Sequence, residues 1–492
     1  MYKKKILIVC GVLLIFLLTG CQKSPSNQVI TSKNDGTFES NILSTSTGNN
    51  FADGHITISK NFCSSDDSVQ FTMNIDQTIP TMDMPVAKVT PHFLTADDAK
   101  RIATAFFPDA IFYEAEPPQA ENLSKNEIQE KIHRWSEYTS IDALRNLYGD
   151  AYSEATLEQL SEIVKKFIGD YTLMYEEAPE SSGHVLCKWE MRKTLEYMLS
   201  DEERKGIDIS DCNDEISAQF VSNGIPYYYT VATRNSHDFK VNMISIYPYA
   251  GMGPINLDEN IYHSLLTRTD EPTEQEVDIV KSKAEQMLSD MELGQWKIDE
   301  CYVERQFCGD IPEYTIHINA VPVVGHIPVL RHPQYSSLKN ESGYAPEQYI
   351  TDVNLVFSPD GKLILFNLFT PIEEPEIVNA NVNVMGVNQL LDRAEELLRL
   401  TDCYAFGFGN SLQFIDEPVR CNVRISKLKY GLSRIKVRDQ EDMYYYTPSM
   451  VLEGNIEYVG QTSGKTFYSS GETERLLCIN AVDGTVINQT NT

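Results

Sequence analysis

Nowhere in these 492 residues is there an uninterrupted apolar run of the roughly 20 residues that a helix needs to cross a bilayer. Cations are also scarce, with 41 Lys and Arg against 71 Asp and Glu and a formal charge of −30. A field of that sign repels nucleic acid and anionic lipid headgroups, so neither is an expected partner. No cysteine pair has CxxC spacing, no His-x-x-x-His occurs and there is no G-x-S-x-G elbow. Thioredoxin-type redox chemistry, zinc clusters and hydrolase elbows therefore lack their signatures. No cofactor, metal site or catalytic residue is assigned, and an enzyme is the less expected outcome.

What is present begins with an address. Lys3, Lys4 and Lys5 precede an apolar run from Ile6 to Leu18, which is too short to span and is followed by Leu18-Thr19-Gly20-Cys21. A basic segment, a short apolar segment and small residues before a cleavage point describe a secretory signal over residues 1–20. The tetrapeptide resembles the bacterial lipobox, and that resemblance implies diacylglycerol on the Cys21 sulfur and cleavage before it. The competing reading is an uncleaved signal anchor with a chance cysteine. Cleavage removes three lysines and no acid, leaving a charge near −33. Residues 21–50, rich in Ser, Thr, Asn and Gly, have little to bury and are expected to form a flexible tether. The chain is thus expected at the cell membrane, lipid-anchored on its extracytoplasmic face. Eight cysteines follow Cys21, and in that compartment disulfides and buried thiols both stay open.

Beyond the tether, a helix-then-strand succession recurs three times, giving an α+β reading of repeated helix-plus-antiparallel-sheet modules over 51–260, 261–378 and 379–492. In the middle copy Thr273 and Glu276 make a capping box, and Val277, Val280, Ala284, Met287 and Met291 follow at helical spacing. Alternation over Tyr314–Val321 and Val353–Phe357, the turn Ser358-Pro359-Asp360-Gly361 and Leu363–Phe369 predict strands and a hairpin. In the last copy Val387, Leu390, Leu391, Ala394, Leu397 and Leu398 mark a helix. Strands follow at about 421–425, 435–438, 444–453 and 476–482, with a final turn at Asp483-Gly484. The first copy opens with a hairpin at 56–58 and 69–75, and Thr95 starts a helix that Pro108 stops. Its strands resume at Tyr227–Val231 and Val241–Tyr247, after a helical insertion at about 121–206. That insertion predicts one helix led by Ser124, a second through Leu157, Leu160 and Val164 closed by Gly169, and a third over 189–199.

The Thr95 and Thr273 helix starts, Val324-Gly325-His326-Ile327-Pro328-Val329 and Ile479-Asn480-Ala481-Val482-Asp483-Gly484 carry a likeness. This succession resembles the PepSY and cystatin-like modules of exported Firmicute proteins, and the extracytoplasmic regulators (the YycH and YycI type) that restrain a cell-wall histidine kinase. The whole is similar to an uncharacterised family of Firmicute lipoproteins. The resemblance implies modules that regulate an envelope protein, and it brings no functional residues with it. His326 interrupts the strand segment such modules carry.

Individual motifs mostly read as structure. Gly460-Gln461-Thr462-Ser463-Gly464-Lys465-Thr466 has three residues between its glycines where a phosphate loop needs four, so a polar hairpin loop is expected. His317, His326 and His332 lie close in sequence, but Pro328 and Pro333 deny them a common helix. The 26 tyrosines include two runs, Tyr227–Tyr229 and Tyr444–Tyr446. Packing explains rings in strands; alternately, the central Tyr228 and Tyr445 point outward as a binding face for glycan or peptide. The leading expectation is a non-catalytic lipoprotein binding an envelope protein or a wall-derived ligand. A solute receptor serving a transporter and a wall hydrolase without a visible motif are the alternatives.

Overall fold

The computed structural model describes residues 54–79, 83–115, 124–148, 154–180, 185–193, 213–248, 270–308, 311–331, 351–403 and 415–487, with Arg268 and Leu412, apart from short gaps at 224, 236–239, 437–442 and 471–473. The expected signal over 1–20, the expected lipidation of Cys21, the expected tether over 21–50, residues 194–199 of the third expected insertion helix and His332 lie outside the described residues. None of the described helices is long and apolar enough to cross a membrane.

In chain order the elements begin with β1 (Gly54–Cys63), β2 (Val69–Ile79), β3 (Val86–Val89), α1 (Ala96–Phe106), β4 (Tyr113–Glu114), α2 (Lys125–Ser136), α3 (Ile141–Tyr148) and α4 (Glu154–Glu177). There follow β5 (Arg192–Lys193), β6 (Asp214–Ser222), β7 (Ile225–Asn235), β8 (Lys240–Pro248), α5 (Glu274–Asp290), β9 (Trp296–Cys308), β10 (Ile311–Val324) and β11 (Ile327–Pro328). The chain closes with β12 (Asp352–Phe357), β13 (Leu363–Phe369), β14 (Glu376–Asn379), α6 (Val387–Leu398), β15 (Val419–Lys436), β16 (Tyr444–Gly460), β17 (Thr466–Ser469) and β18 (Glu474–Asn480). The fold is α+β, built on two large and mostly antiparallel sheets, one in each of two compact units.

Among the described residues, the first unit takes those up to Val89 and those from Pro375 onward. Its sheet runs β1-β2-β15-β16-β3-β14, with β17 and β18 also paired to β16. The long β15–β16 hairpin pairs from Val419–Gly460 to Lys436–Tyr444 and shifts register once, between Ile425 and Lys427. Gly454 sits at that shift, where a Cβ would lie 1.8 Å from Arg424 O, so no side chain fits. Helix α6 buries Leu390, Leu391, Ala394, Leu397 and Leu398, the apolar positions expected of it. Arg393 Nε donates to Gly484 O (3.2 Å) and Arg399 Nη1 to Cys63 O (3.2 Å), tying the helix at its middle and at its carboxyl end.

In the second unit the sheet runs β11-β10-β12-β13-β8-β7-β6-β4, with β9 beside β10 and β5 beside β6. Helices α1 and α5 cover one face. Thr95 caps α1 where the sequence predicts a helix start, and Thr273 caps α5 with the capping box the sequence predicts; both boxes are reciprocal. Ala99, Ile102 and Ala103 of α1 and Val280, Ala284 and Leu288 of α5 share a core with Tyr229, Val231, Ile244, Ile318, Leu355 and Phe366 of the sheet. Helices α2, α3 and α4 close a smaller core of Trp135, Leu144, Leu157, Leu160 and Val164.

The insertion departs from expectation in two places. Gly169 does not end a helix, because α4 runs on to Glu177; with nothing within 4 Å of its would-be Cβ, this glycine costs only about 1 kcal/mol of propensity. Residues 189–193 are not helical: Trp189 takes φ +55° and Arg192–Lys193 pair with β6. Helix α3 had no counterpart in the sequence reading.

Replacing Gly454 by Ala forces the β15 backbone aside, and a loss of about 2–3 kcal/mol is expected from overpacking against main chain. Chemical denaturation of the variant measures it, and an unchanged midpoint would contradict the close approach.

Candidate functional site

Side chains alternate along a strand, so the strands that turn one parity toward α1 and α5 turn the other away. Register then decides what meets on that outer face. Across seven neighbouring strands the paired outward positions are Glu300 (β9), Asn319 (β10), Asn354 (β12), Asn367 (β13), Ser245 (β8), Thr230 (β7) and Ser217 (β6). No apolar residue interrupts this row. With strands about 4.8 Å apart, it extends roughly 29 Å.

Three hydrogen bonds join members of the row. Asn319 Nδ2 donates to Glu300 Oε2 (3.2 Å), Asn354 Nδ2 to Asn319 Oδ1 (2.7 Å) and Ser245 Oγ to Asn367 Oδ1 (2.6 Å). At one end Arg331 joins it, Nη1 to Glu300 Oε2 (3.4 Å) and Nε to Asp352 Oδ2 (3.2 Å). At the other, Ser217 Oγ donates to Glu215. Asn319 and Ser217 are buried, whereas Asn354, Asn367 and Thr230 are half-buried.

One step along the strands lies a second row with a different character. Tyr302 pairs with His317, His317 with Val356 and Val356 with Leu365; beyond the Phe366–Ile246 pair come Tyr247 and Tyr228. The Tyr302 and His317 rings stack at 5.1 Å and 12°, and those of Tyr228 and Tyr247 at 5.8 Å and 22°. Tyr302 is 46% and Tyr247 40% exposed. Burial pushes the His317 imidazole below the usual histidine range, against the pull of the Glu304 carboxylate 2.6 Å from its Nε2. Burial also raises the Tyr302 and Tyr247 phenols, with Glu304 and Glu215 adding to the effect. The face therefore offers amide and hydroxyl groups beside aromatic edges, together with Glu215, Glu300, Glu304 and Asp352 against Arg331. The Thr315 hydroxyl lies 3.0 Å from His317 Nε2, the same nitrogen that Glu304 meets.

Tyr228 takes the outward place expected of it, while Tyr227 and Tyr229 turn inward, their hydroxyls donating to Leu363 O (2.7 Å) and Ala99 O (2.8 Å). Tyr445 belongs to the other sheet, half-buried and paired with Ile435 and Lys88, so the structure does not bring the two expected ligand contacts onto one sheet. His317 faces Glu304 and Thr315, and His326 is exposed in the β10–β11 turn at φ +79°. Among the described residues no group of three metal-ligating side chains converges. The Gly460 loop is a hairpin turn between β16 and β17, and its anion-binding amides are already taken. Thr462 N and Ser463 N donate to Glu417 Oε2 at 3.0 and 2.9 Å.

A separate cluster in the second unit is structural. His92 sits between Asp98 (2.9 Å) and Glu373 (2.9 Å), and Asp98 also accepts from Thr95 and Arg101. Burial opposes charge on both His92 and Asp98. Their hydrogen bonds outweigh it, raising the imidazole and holding the carboxyl at about 2. Sequence reasoning missed this knot and the seven-residue row alike, since both join segments remote in the chain.

No family model matches the chain, and no curated protein matches it. A solved structure of an uncharacterized protein from Eubacterium rectale is similar, at 10% identity and a TM-score of 0.32, over 92% of this chain and 98% of that one. The likeness is too distant to argue from.

A raised histidine stabilises the fold fully below its unfolded value near 6.5 and loses that contribution as pH climbs through the folded one. Unfolding midpoints of the native chain should therefore fall above pH 6.5, and His92→Gln should flatten that limb. The Asp98 contribution, present above about 3.8, should be lost toward pH 2 in both proteins.

Proposed function

We propose that this chain is a lipid-anchored extracytoplasmic binding protein without catalytic activity, and that the outer face of its ten-stranded sheet engages a wall-derived glycan. The seven-residue polar row beside exposed aromatic rings carries the reading. Sugars present in-plane hydroxyls for amides and hydroxyls to meet, and flat C–H faces for rings to cover. The four carboxylates disfavour a polyanion and leave neutral or amino-bearing sugars. A protein partner would be expected to need large apolar anchors at the centre of the patch, where the polar row has asparagine and serine. Peptide addition to a strand needs an open edge, and this row crosses the middle of a sheet. Lipid on Cys21 would hold that face outside the membrane and close to the wall. The helices starting near Thr95, Thr273 and Gly386, each followed by antiparallel strands, support reading the ectodomain as repeated helix-plus-sheet modules of regulatory type. Antiparallel meanders favour this over a transport receptor built from parallel β-α-β lobes.

Two rings at about 1 kcal/mol each make Tyr302→Ala with Tyr247→Ala weaken retention on purified cell wall roughly thirtyfold, the fold staying intact by circular dichroism. Unchanged retention sinks the glycan face. Anchoring is tested apart from it: Cys21→Ala should move the protein from the membrane fraction to the medium, and identical fractionation removes the lipid.

A further inference from the structure

Cys63, Cys187, Cys301, Cys403, Cys421 and Cys478 are thiols in this structure, and two of them are held together by shared neighbours. Cys403 follows α6, and Cys421 lies on β15. Ser68, before β2, grips both: Cys403 N donates to Ser68 Oγ (3.1 Å) and Cys421 N to Ser68 O (3.2 Å). Tyr458 closes the pair from the other side. It stands opposite Cys421 in the β15–β16 register, its hydroxyl donates to Cys403 O (2.8 Å), and that hydroxyl also hydrogen-bonds the Cys421 thiol. One serine and one tyrosine thus bracket two cysteines that are 18 positions apart in the chain.

Cys63, Cys187, Cys301 and Cys478 do not compete for these partners. Cys63 follows the inward Phe62 and so points to the opposite face of β1, and the Cys478 sulfur lies 3.3 Å from Ser433 Oγ. Cys187 and Cys301 belong to the second unit.

We propose that Cys403 and Cys421 are a redox pair that closes into a disulfide when a small-molecule disulfide or the disulfide of a thiol oxidoreductase reaches the protein. Cys403, half-buried, meets the oxidant first: its thiolate attacks one sulfur of the incoming disulfide, forming a mixed disulfide and releasing one thiolate. Cys421 then loses its proton to solvent and attacks the Cys403 sulfur, expelling the second thiolate. Two protein thiols become one disulfide, and the oxidant leaves as two thiols. Cys421 is fully buried, and burial pushes its thiol up to about 12, so the second step is the slow one. The bond ties the segment after α6 to the middle of the sheet, limiting the freedom of the unfolded chain. Its occurrence in the cell rests on the extracytoplasmic placement proposed above; its chemistry does not.

The test equilibrates the purified full chain with oxidised glutathione, blocks residual thiols, digests without reductant and maps the peptides by mass spectrometry. A Cys403–Cys421 linked peptide is expected, with a melting temperature several degrees higher than after reduction. Cys403→Ser, at the more exposed position, should fold, lack the linked peptide and lose the reductant-dependent shift. Alkylation of both cysteines after oxidation, or either one linked to a different cysteine, overturns the pairing. Because glutathione is supplied, a negative result bears on the pair alone and leaves the membrane placement to the Cys21→Ala fractionation.

Discussion

In the larger unit one constraint governs the rest: the ladder registers of β6 to β13 commit every strand to one choice of inward residue. Tyr229 enforces that choice at the centre, since its hydroxyl is buried and bonds Ala99 O on α1. Slipping β7 by one residue would expose Tyr229, Val231 and Tyr227 and bury Tyr228 and Thr230 in their place. The penalty falls on several large side chains at once, so the outer face is specified by what the inner face refuses to give up. The amide row exists because the core fixes it, although none of its members touches α1 or α5.

Polar groups inside such a face are expensive unless satisfied, and neighbours in the row satisfy one another. Asn319 both donates to Glu300 and accepts from Asn354, so its amide orientation is set by its partners. Arg331 answers two carboxylates that would otherwise repel each other. The result is a stiff polar strip whose half-buried members keep capacity for a ligand, which lowers the ordering cost of binding.

How much of this was legible in the sequence follows from the range of each interaction. The capping boxes at Thr95 and Thr273 and the turn at Ser358–Gly361 are satisfied within four residues, and each stands where its local chemistry places it. Tyr228 turned outward because alternation is also local. Gly169 misled because a glycine in a solvent-facing helix costs less than continued helix formation returns. Trp189 was read as helical from its neighbours, yet its ring packs against Phe112 and Tyr229, and that tertiary contact overrode propensity. The seven-residue row was invisible for a simpler reason. Its members come from seven strands between positions 217 and 367, and only strand order assembles them.

The parallel pairing of β2 with β15 has a consequence for biogenesis. It joins Val69–Met73 to Cys421–Ile425, about 350 positions later, while the larger unit is drawn almost wholly from the chain between. A polypeptide emerging from its amino terminus therefore completes the interior body first, and the β1–β2 ribbon waits with one edge unclaimed until the last quarter of the chain arrives. That waiting edge is the segment most open to wrong pairing, so the rate at which the carboxyl-terminal portion is delivered sets how long the molecule stays vulnerable to aggregation.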